Sequence, residues 1–230
     1  MSTTPTLLLV HGAFHRREMW DLTVRRLPDI DVRTVQLPSS APVPVSRLGD
    51  LYDDARAVRE AALAVDGPVV VCAHSYGAVP VTQGLAGVDT VKRLVYLHAF
   101  LLDVGESMLG NRGGTYPPHW IVDEERGCVE IRNPRRVFYS DLAPEAAQEA
   151  VAALGPQSLA APTQPLTQAP WHTIPSTYVA GDGDNAAVPA AMREKFSARA
   201  SRVRRMRTAH SPFLSHADET AAMLRAELTD

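Results

Sequence analysis

Val69-Val70-Val71-Cys72-Ala73-His74-Ser75-Tyr76-Gly77-Ala78 is the stretch that decides the fold. Its first part is a short apolar, β-branched run and reads as a buried strand. It then passes through small-x-Ser-x-Gly into a helix-compatible sequence, which is the form of a nucleophile elbow. Ala73 and Gly77 are small because a strand-to-helix turn this tight has no room for larger side chains. Such a turn lifts Ser75 Oγ clear of the sheet. It also leaves the Tyr76 backbone N–H free at a helix N-terminus, where it can stabilise an oxyanion.

Working outward, Gly67-Pro68 punctuates before the elbow strand, and residues 76–85 continue as the helix behind the serine. Residues 6–10 form another buried apolar run, ending in His11-Gly12-Ala13. Residues 17–27 carry apolar side chains at helical spacing, and residues 31–37 read as a strand stopped by Pro38. Leu51, Ala55, Val58, Ala62 and Val65 share one helical face. Further strands are predicted at 93–100, at 177–180 and, as a half-exposed edge, at 201–207. Helices are predicted at 188–199, entered through Pro189, and at 215–228, with Ser215 and Asp218 spaced like a capping box.

This alternation predicts an α/β fold, a mostly parallel six-stranded sheet with helices on both faces and the elbow strand central. Residues 101–170 break the rhythm: a Gly/Pro-rich opening, a hairpin placed around Asn133-Pro134, and a helix at 144–154. An insertion after a strand's carboxyl end is most simply a cap over a ligand site. The expected organisation is one domain whose core comprises 1–100 and 171–230, with a cap or lid at 101–170.

Composition narrows the partners. A chain of 230 residues, 45% hydrophobic and 21% charged, is ordinary for a soluble domain with a substantial core. A net charge of −3 gives no reason to expect nucleic acid or an anionic membrane. The two cysteines make no disulfide framework, and no stretch resembles a signal peptide or a membrane span, so a cytoplasmic location is expected. A small-molecule substrate is the expected partner, and a homodimer is compatible with this composition.

A serine nucleophile needs a base, and the base an orienting acid. In chains with this elbow the order is Ser, acid, His. His210 stands immediately after the last predicted strand, in Thr208-Ala209-His210-Ser211-Pro212-Phe213, and is taken as the base. The acid should follow the strand at 177–180, where Gly181-Asp182-Gly183-Asp184-Asn185 offers two carboxylates. Asp184, at the loop apex, is preferred over Asp182, with Asp103 third. The second oxyanion donor is expected after the first strand, from the N–H of Ala13, with Phe14 next. His11 and His15 read as structural or pocket-wall residues, and His74 as packing around the elbow. Phe14, His98, Trp120 and Phe138 are the substrate-contact candidates, although His98 also fits core packing and the aromatics also fit simple cap packing. No metal or other cofactor is required.

His11-Gly12-Ala13, Ala73-His74-Ser75-Tyr76-Gly77, the Asp184 turn and His210-Ser211-Pro212-Phe213 together resemble the α/β-hydrolase superfamily. The likeness points to the branch containing bacterial carboxylesterases, plant methyl-ester hydrolases and hydroxynitrile lyases. It runs over nearly the whole chain and includes Val137-Phe138-Tyr139-Ser140-Asp141 in the insertion. It implies a cofactor-free serine hydrolase acting on a small ester or lactone through an acyl-Ser75 intermediate. The alternatives are a lyase or C–C bond hydrolase on a polyketide-like substrate, and a ligand receptor that retains the triad. Hydroxynitrile-lyase chemistry is disfavoured because those relatives have lysine after the catalytic histidine, where Ser211 stands here.

Overall fold

The computed structural model of the protein describes residues 4–184 and 187–229. In chain order the first half runs β1 (Thr6–Val10), α1 (Asp21–Val24), β2 (Val32–Val35), α2 (Leu51–Leu63), β3 (Val69–His74), α3 (Ala78–Gly84) and β4 (Val91–Leu97). An intervening segment then supplies β5 (Trp120–Asp123), β6 (Cys128–Ile131), α4 (Pro134–Phe138), α5 (Pro144–Ala152) and β7 (Gln157–Ser158). The main sheet resumes with β8 (Ser176–Gly181), α6 (Ala190–Ser197), β9 (Arg202–Met206), α7 (Pro212–Ser215) and α8 (Ala217–Glu227).

Among the described residues the main sheet has six strands in the order β2-β1-β3-β4-β8-β9, and every neighbouring pair is parallel. Alternation along each strand sorts its apolar side chains between two cores. Leu8, Val10, Val69, Val71, Leu94, Tyr96 and Tyr178 meet Val58 of α2, Val79 and Val81 of α3 and Phe196 of α6. Leu7, Leu9, Val70, Cys72, Val95, Leu97 and Val179 meet Trp20 with Phe213 of α7 and Leu224 of α8 on the opposite face. Burial on both faces explains why β1 and β3 read as unbroken apolar runs. The intervening segment adds Trp120, Val129, Phe138 and Tyr139 to the first core, alongside Ala13 and Phe14 from the loop after β1.

Two local expectations need correction. The hairpin lies between β5 and β6, turning at Gly127 with φ +67°; Asn133-Pro134 instead opens α4, with Asn133 left-handed at φ +53°. Proline's fixed φ and missing N–H suit a first helical turn better than a ladder. The last helix is two pieces broken at His216, and Ser215 makes no capping bond; its hydroxyl donates to Asp141 at 2.9 Å. In edge strand β9, Val203 faces solvent while Arg204 turns inward to the buried carboxylate of Glu227 on α8, which also accepts from Thr177 Oγ1 at 2.6 Å.

Register positions the site. Val10 lies beside Ala73, so the loop after β1 runs against the elbow, and Gly181 lies beside Met206, so the loops after β8 and β9 emerge together. All of these loops leave the carboxyl ends of parallel strands, the edge where open α/β sheets bind ligands.

Candidate active site

Ser75 is held at φ +51°, a left-handed conformation costly for any residue but glycine. Two glycines make that turn possible. A Cβ on Gly77 would lie 2.2 Å from the carbonyl oxygen of His11, and one on Gly12 would lie 2.7 Å from His74 Nδ1. The loop after β1 and the elbow are therefore in backbone contact, so Ala13 and Tyr76 are carried by neighbouring turns.

Asp184 and His210 meet on the facing loops. Asp184 Oδ2 accepts from His210 Nδ1 at 2.7 Å, with both side chains only 1% exposed. Burial pushes the Asp184 carboxyl up, but the charge and hydrogen bond of His210, helped by the Val188 N–H, outweigh it and hold the carboxyl below its ordinary range. Hydrogen bonding at Nδ1 fixes the ring's orientation. His210 Nε2 is buried and meets no partner among the described residues. Asp182 and Asp103 are engaged elsewhere: Asp182 accepts from Arg205 at 2.9 Å, and Asp103 contacts His172 at 3.0 Å.

Two further histidines hold the His210 loop. His74 Nε2 and His98 Nδ1 converge on the backbone carbonyl of His210, at 2.9 and 3.3 Å. Burial lowers His74 far below the usual imidazole range and His98 to about 4, so both are neutral. His98 is not among the residues lining the cavity at Ser75. It packs against Gly181, where a Cβ would lie 2.5 Å from its ring, and the core alternative of the sequence reading describes its place. Nitrogens of His98 and His210 and an oxygen of Asp184 lie within 4.8 Å of one another, close enough to hold a cation. A cation there would compete with the Asp184–His210 hydrogen bond.

His11 and His15 anchor the loop after β1. Leu37 N–H donates to His11 Nε2 at 3.0 Å, while His15 pairs with the Ala13 carbonyl at 2.8 Å and the Tyr139 hydroxyl at 2.8 Å. Burial lowers them to about 4 and about 3 respectively, which removes them as bases at neutral pH.

A buried network unread in the sequence underpins the turns that carry Phe14 and Tyr76. Asp54 accepts from the Ser39 N–H at 2.8 Å, from Ser39 Oγ, and from the Tyr76 hydroxyl at 2.8 Å. Gln157 of β7 donates to Ser39 Oγ at 2.8 Å and accepts from the Phe14 N–H at 3.3 Å. That last bond occupies the Phe14 donor, whereas the Ala13 N–H meets no acceptor among the described residues. One signal existed: Asp54 falls on the apolar face of α2, between Leu51 and Val58. Burial raises the Asp54 carboxyl to about 7 against the three donors that favour its ionised form. A raised folded-state value means stability that is full below the unfolded carboxyl range and lost as pH rises through about 7. The melting temperature of the wild type relative to Asp54→Asn is therefore expected to fall between pH 4 and pH 8. A constant difference across that range would contradict the assignment.

Phe14, Trp120 and Phe138 line a cavity of about 20 Å³ together with Ser75, Arg112 and His119, among others. That is room for about one water, so a substrate enters only by displacing these side chains. A larger apolar cavity of about 360 Å³ lies on the other side of His15 and Tyr139, between Met19, Leu22, Leu142 and Leu154, and does not include Ser75.

A parallel sheet with a strained serine elbow and a buried carboxylate–histidine pair on adjacent loops defines the α/β-hydrolase class. The chain belongs to the Alpha/beta hydrolase family, whose profile matches residues 7–223. It is 29% identical over 244 residues to "Alpha/beta hydrolase nvfD" of Aspergillus novofumigatus, covering 96% of this chain and 95% of that protein. Among solved structures, a pyrethroid hydrolase from Sphingobium faniae superposes with a TM-score of 0.84 at 20% identity, over 98% of this chain and 97% of the other. Polyneuridine aldehyde esterase superposes at 0.83 and 16% identity, over 99% and 100%. At these identities the structural likeness speaks for the fold.

Proposed function

We propose that the protein is a serine hydrolase that cleaves a carboxylic ester or lactone through an acyl-Ser75 intermediate. The observation that carries this reading is the buried Asp184–His210 pair, whose second ring nitrogen has no partner among the described residues and whose imidazole packs 4.6 Å from the ring of His74, the residue before the strained elbow serine. On substrate binding, His210 Nε2 takes the Ser75 Oγ proton as the oxygen attacks the carbonyl. The N–H groups of Ala13 and Tyr76 receive the oxyanion. His210 then protonates the departing alcohol, and water reverses the steps to release the acid. Asp184 fixes the tautomer and balances the imidazolium. Residues 101–170 act as the cap, with Trp120 and Phe138 as the apolar contacts that exclude water during reaction.

Labelling with a fluorophosphonate tests this directly. The expected product is a single adduct on Ser75, absent from Ser75→Ala and formed much more slowly by His210→Ala. Failure of the wild type to react, together with no hydrolysis across esters and lactones of graded acyl size, would overturn the reading and leave a binding protein that retains the triad.

A further inference from the structure

We propose that Arg112 makes this site selective for esters that carry a free carboxylate, with its guanidinium pairing that carboxylate inside the cavity that holds Ser75. The proposal rests on the ester-hydrolase reading above and adds the substrate class to it.

Arg112 closes the short turn Gly110–Arg112 and reaches into the same cavity as Ser75. Its surroundings there are mostly apolar: the guanidinium carbon lies 5.9 Å from the centre of the Phe100 ring, and Met108, Pro117 and Trp120 share the lining. One terminal nitrogen, Nη2, donates to the Ala187 carbonyl. Nε is buried and meets no acceptor among the described residues. No described carboxylate forms an ion pair with Arg112, whereas Arg199 is paired with Glu106 at 2.6 Å. The carboxylate whose charge acts on Arg112 is Asp184, and its Oδ2 is already bonded to His210.

An arginine keeps its proton even when partly buried, so the site holds a partly desolvated cation with no close anionic partner among the described residues. Burial without a partner is costly, and an arriving carboxylate relieves that cost. The planar guanidinium fork matches a carboxylate better than a neutral carbonyl, because charge-assisted bonds are about twice as strong. Because Ser75 and Arg112 line the same cavity, a carboxylate on Arg112 is held within a short reach of a carbonyl at Ser75. Half-esters of short dicarboxylic acids meet that requirement, and their hydrolysis needs only water.

The test compares monomethyl glutarate with methyl glutaramate, its neutral amide of the same size, by methanol release. Wild type is expected to favour the half-ester in kcat/KM by about ten- to a hundredfold, carried mainly in KM. In Arg112→Gln that ratio should collapse toward one, and Arg112→Lys should recover part of it. Calorimetry of glutarate with Ser75→Ala gives a readout independent of turnover: binding is expected, and adding Arg112→Gln should abolish it. A ratio near one in wild type, an unchanged ratio in a folded Arg112→Gln, or glutarate binding indifferent to Arg112 would overturn the proposal. Fluorophosphonate labelling of the same preparations separates the two failures. Labelled Ser75 with no anion preference sinks only the Arg112 role, whereas unlabelled wild type that still binds glutarate through Arg112 sinks only the hydrolase reading.

Discussion

Ser75→Ala and His210→Ala should each reduce ester hydrolysis by on the order of 10³–10⁶, with the fold intact. In the proposed mechanism the two side chains act as one unit: without His210 the hydroxyl would remain protonated, and without Ser75 the base would have nothing to activate. The double variant is therefore expected to be scarcely slower than either single one. What remains is catalysis by the oxyanion donors and by binding alone. Both changes remove atoms at a buried but small site, so circular dichroism should match wild type. Rates of aryl-ester hydrolysis measured against a buffer blank decide the matter; a Ser75→Ala enzyme retaining more than about a tenth of wild-type turnover would sink the covalent mechanism.

Asp184→Asn should cost on the order of 10⁴ in kcat, while Asp182→Asn should leave kcat within a small factor of wild type. The Asp184 carboxylate sets His210's tautomer through the 2.7 Å bond, and an amide placed there can present N–H to Nδ1 and favour the wrong one. The same substitution keeps the local turn, because Asp184 Oδ1, which accepts from the N–H groups of Ala187 and Val188 at 3.3 and 3.4 Å, has an equivalent in asparagine. The loss should therefore fall on rate and leave stability nearly unchanged. Asp182 lies on the surface in an ion pair with Arg205, its side chain 41% exposed, where one such pair contributes little. Equal losses in the two variants, or a larger one at Asp182, would reassign the acid.

Much of the architecture was legible because it follows from short-range chemistry. β1 and β3 announce themselves as apolar runs, Ser75 by its small neighbours, and the Asp184 and His210 loops by following strands in the expected order. What was not legible depends on long-range contact. No local pattern says that Gln157 reaches Ser39 and Phe14, since those partners come from loops and strands far apart in the chain. Arg112 was likewise invisible, as an arginine in a Gly-rich loop ordinarily points into water. His98 sits at a strand end, as pocket residues often do, and only the packing against Gly181 places it beneath the His210 loop. The break at His216 was missed because Pro212 begins a separate turn whose end a helical hydrophobic pattern does not mark.

The order of the sheet also bears on how the chain is born. Strands β2, β1, β3 and β4 can pair as soon as Leu97 has been made, but β4's other neighbour, β8, begins only at Ser176. At ribosomal speeds of about 5–20 residues per second, that interval lasts on the order of 4–16 s. Throughout it, β4 presents an unpaired edge bearing Leu94, Val95, Tyr96 and Leu97, all buried in the finished protein. Exposed apolar edges of this kind recruit other chains. Nascent protein is therefore most prone to aggregation while residues 101–170 are being synthesised, and a chaperone that shields β4 during that window should raise the yield of folded protein more than one added after release.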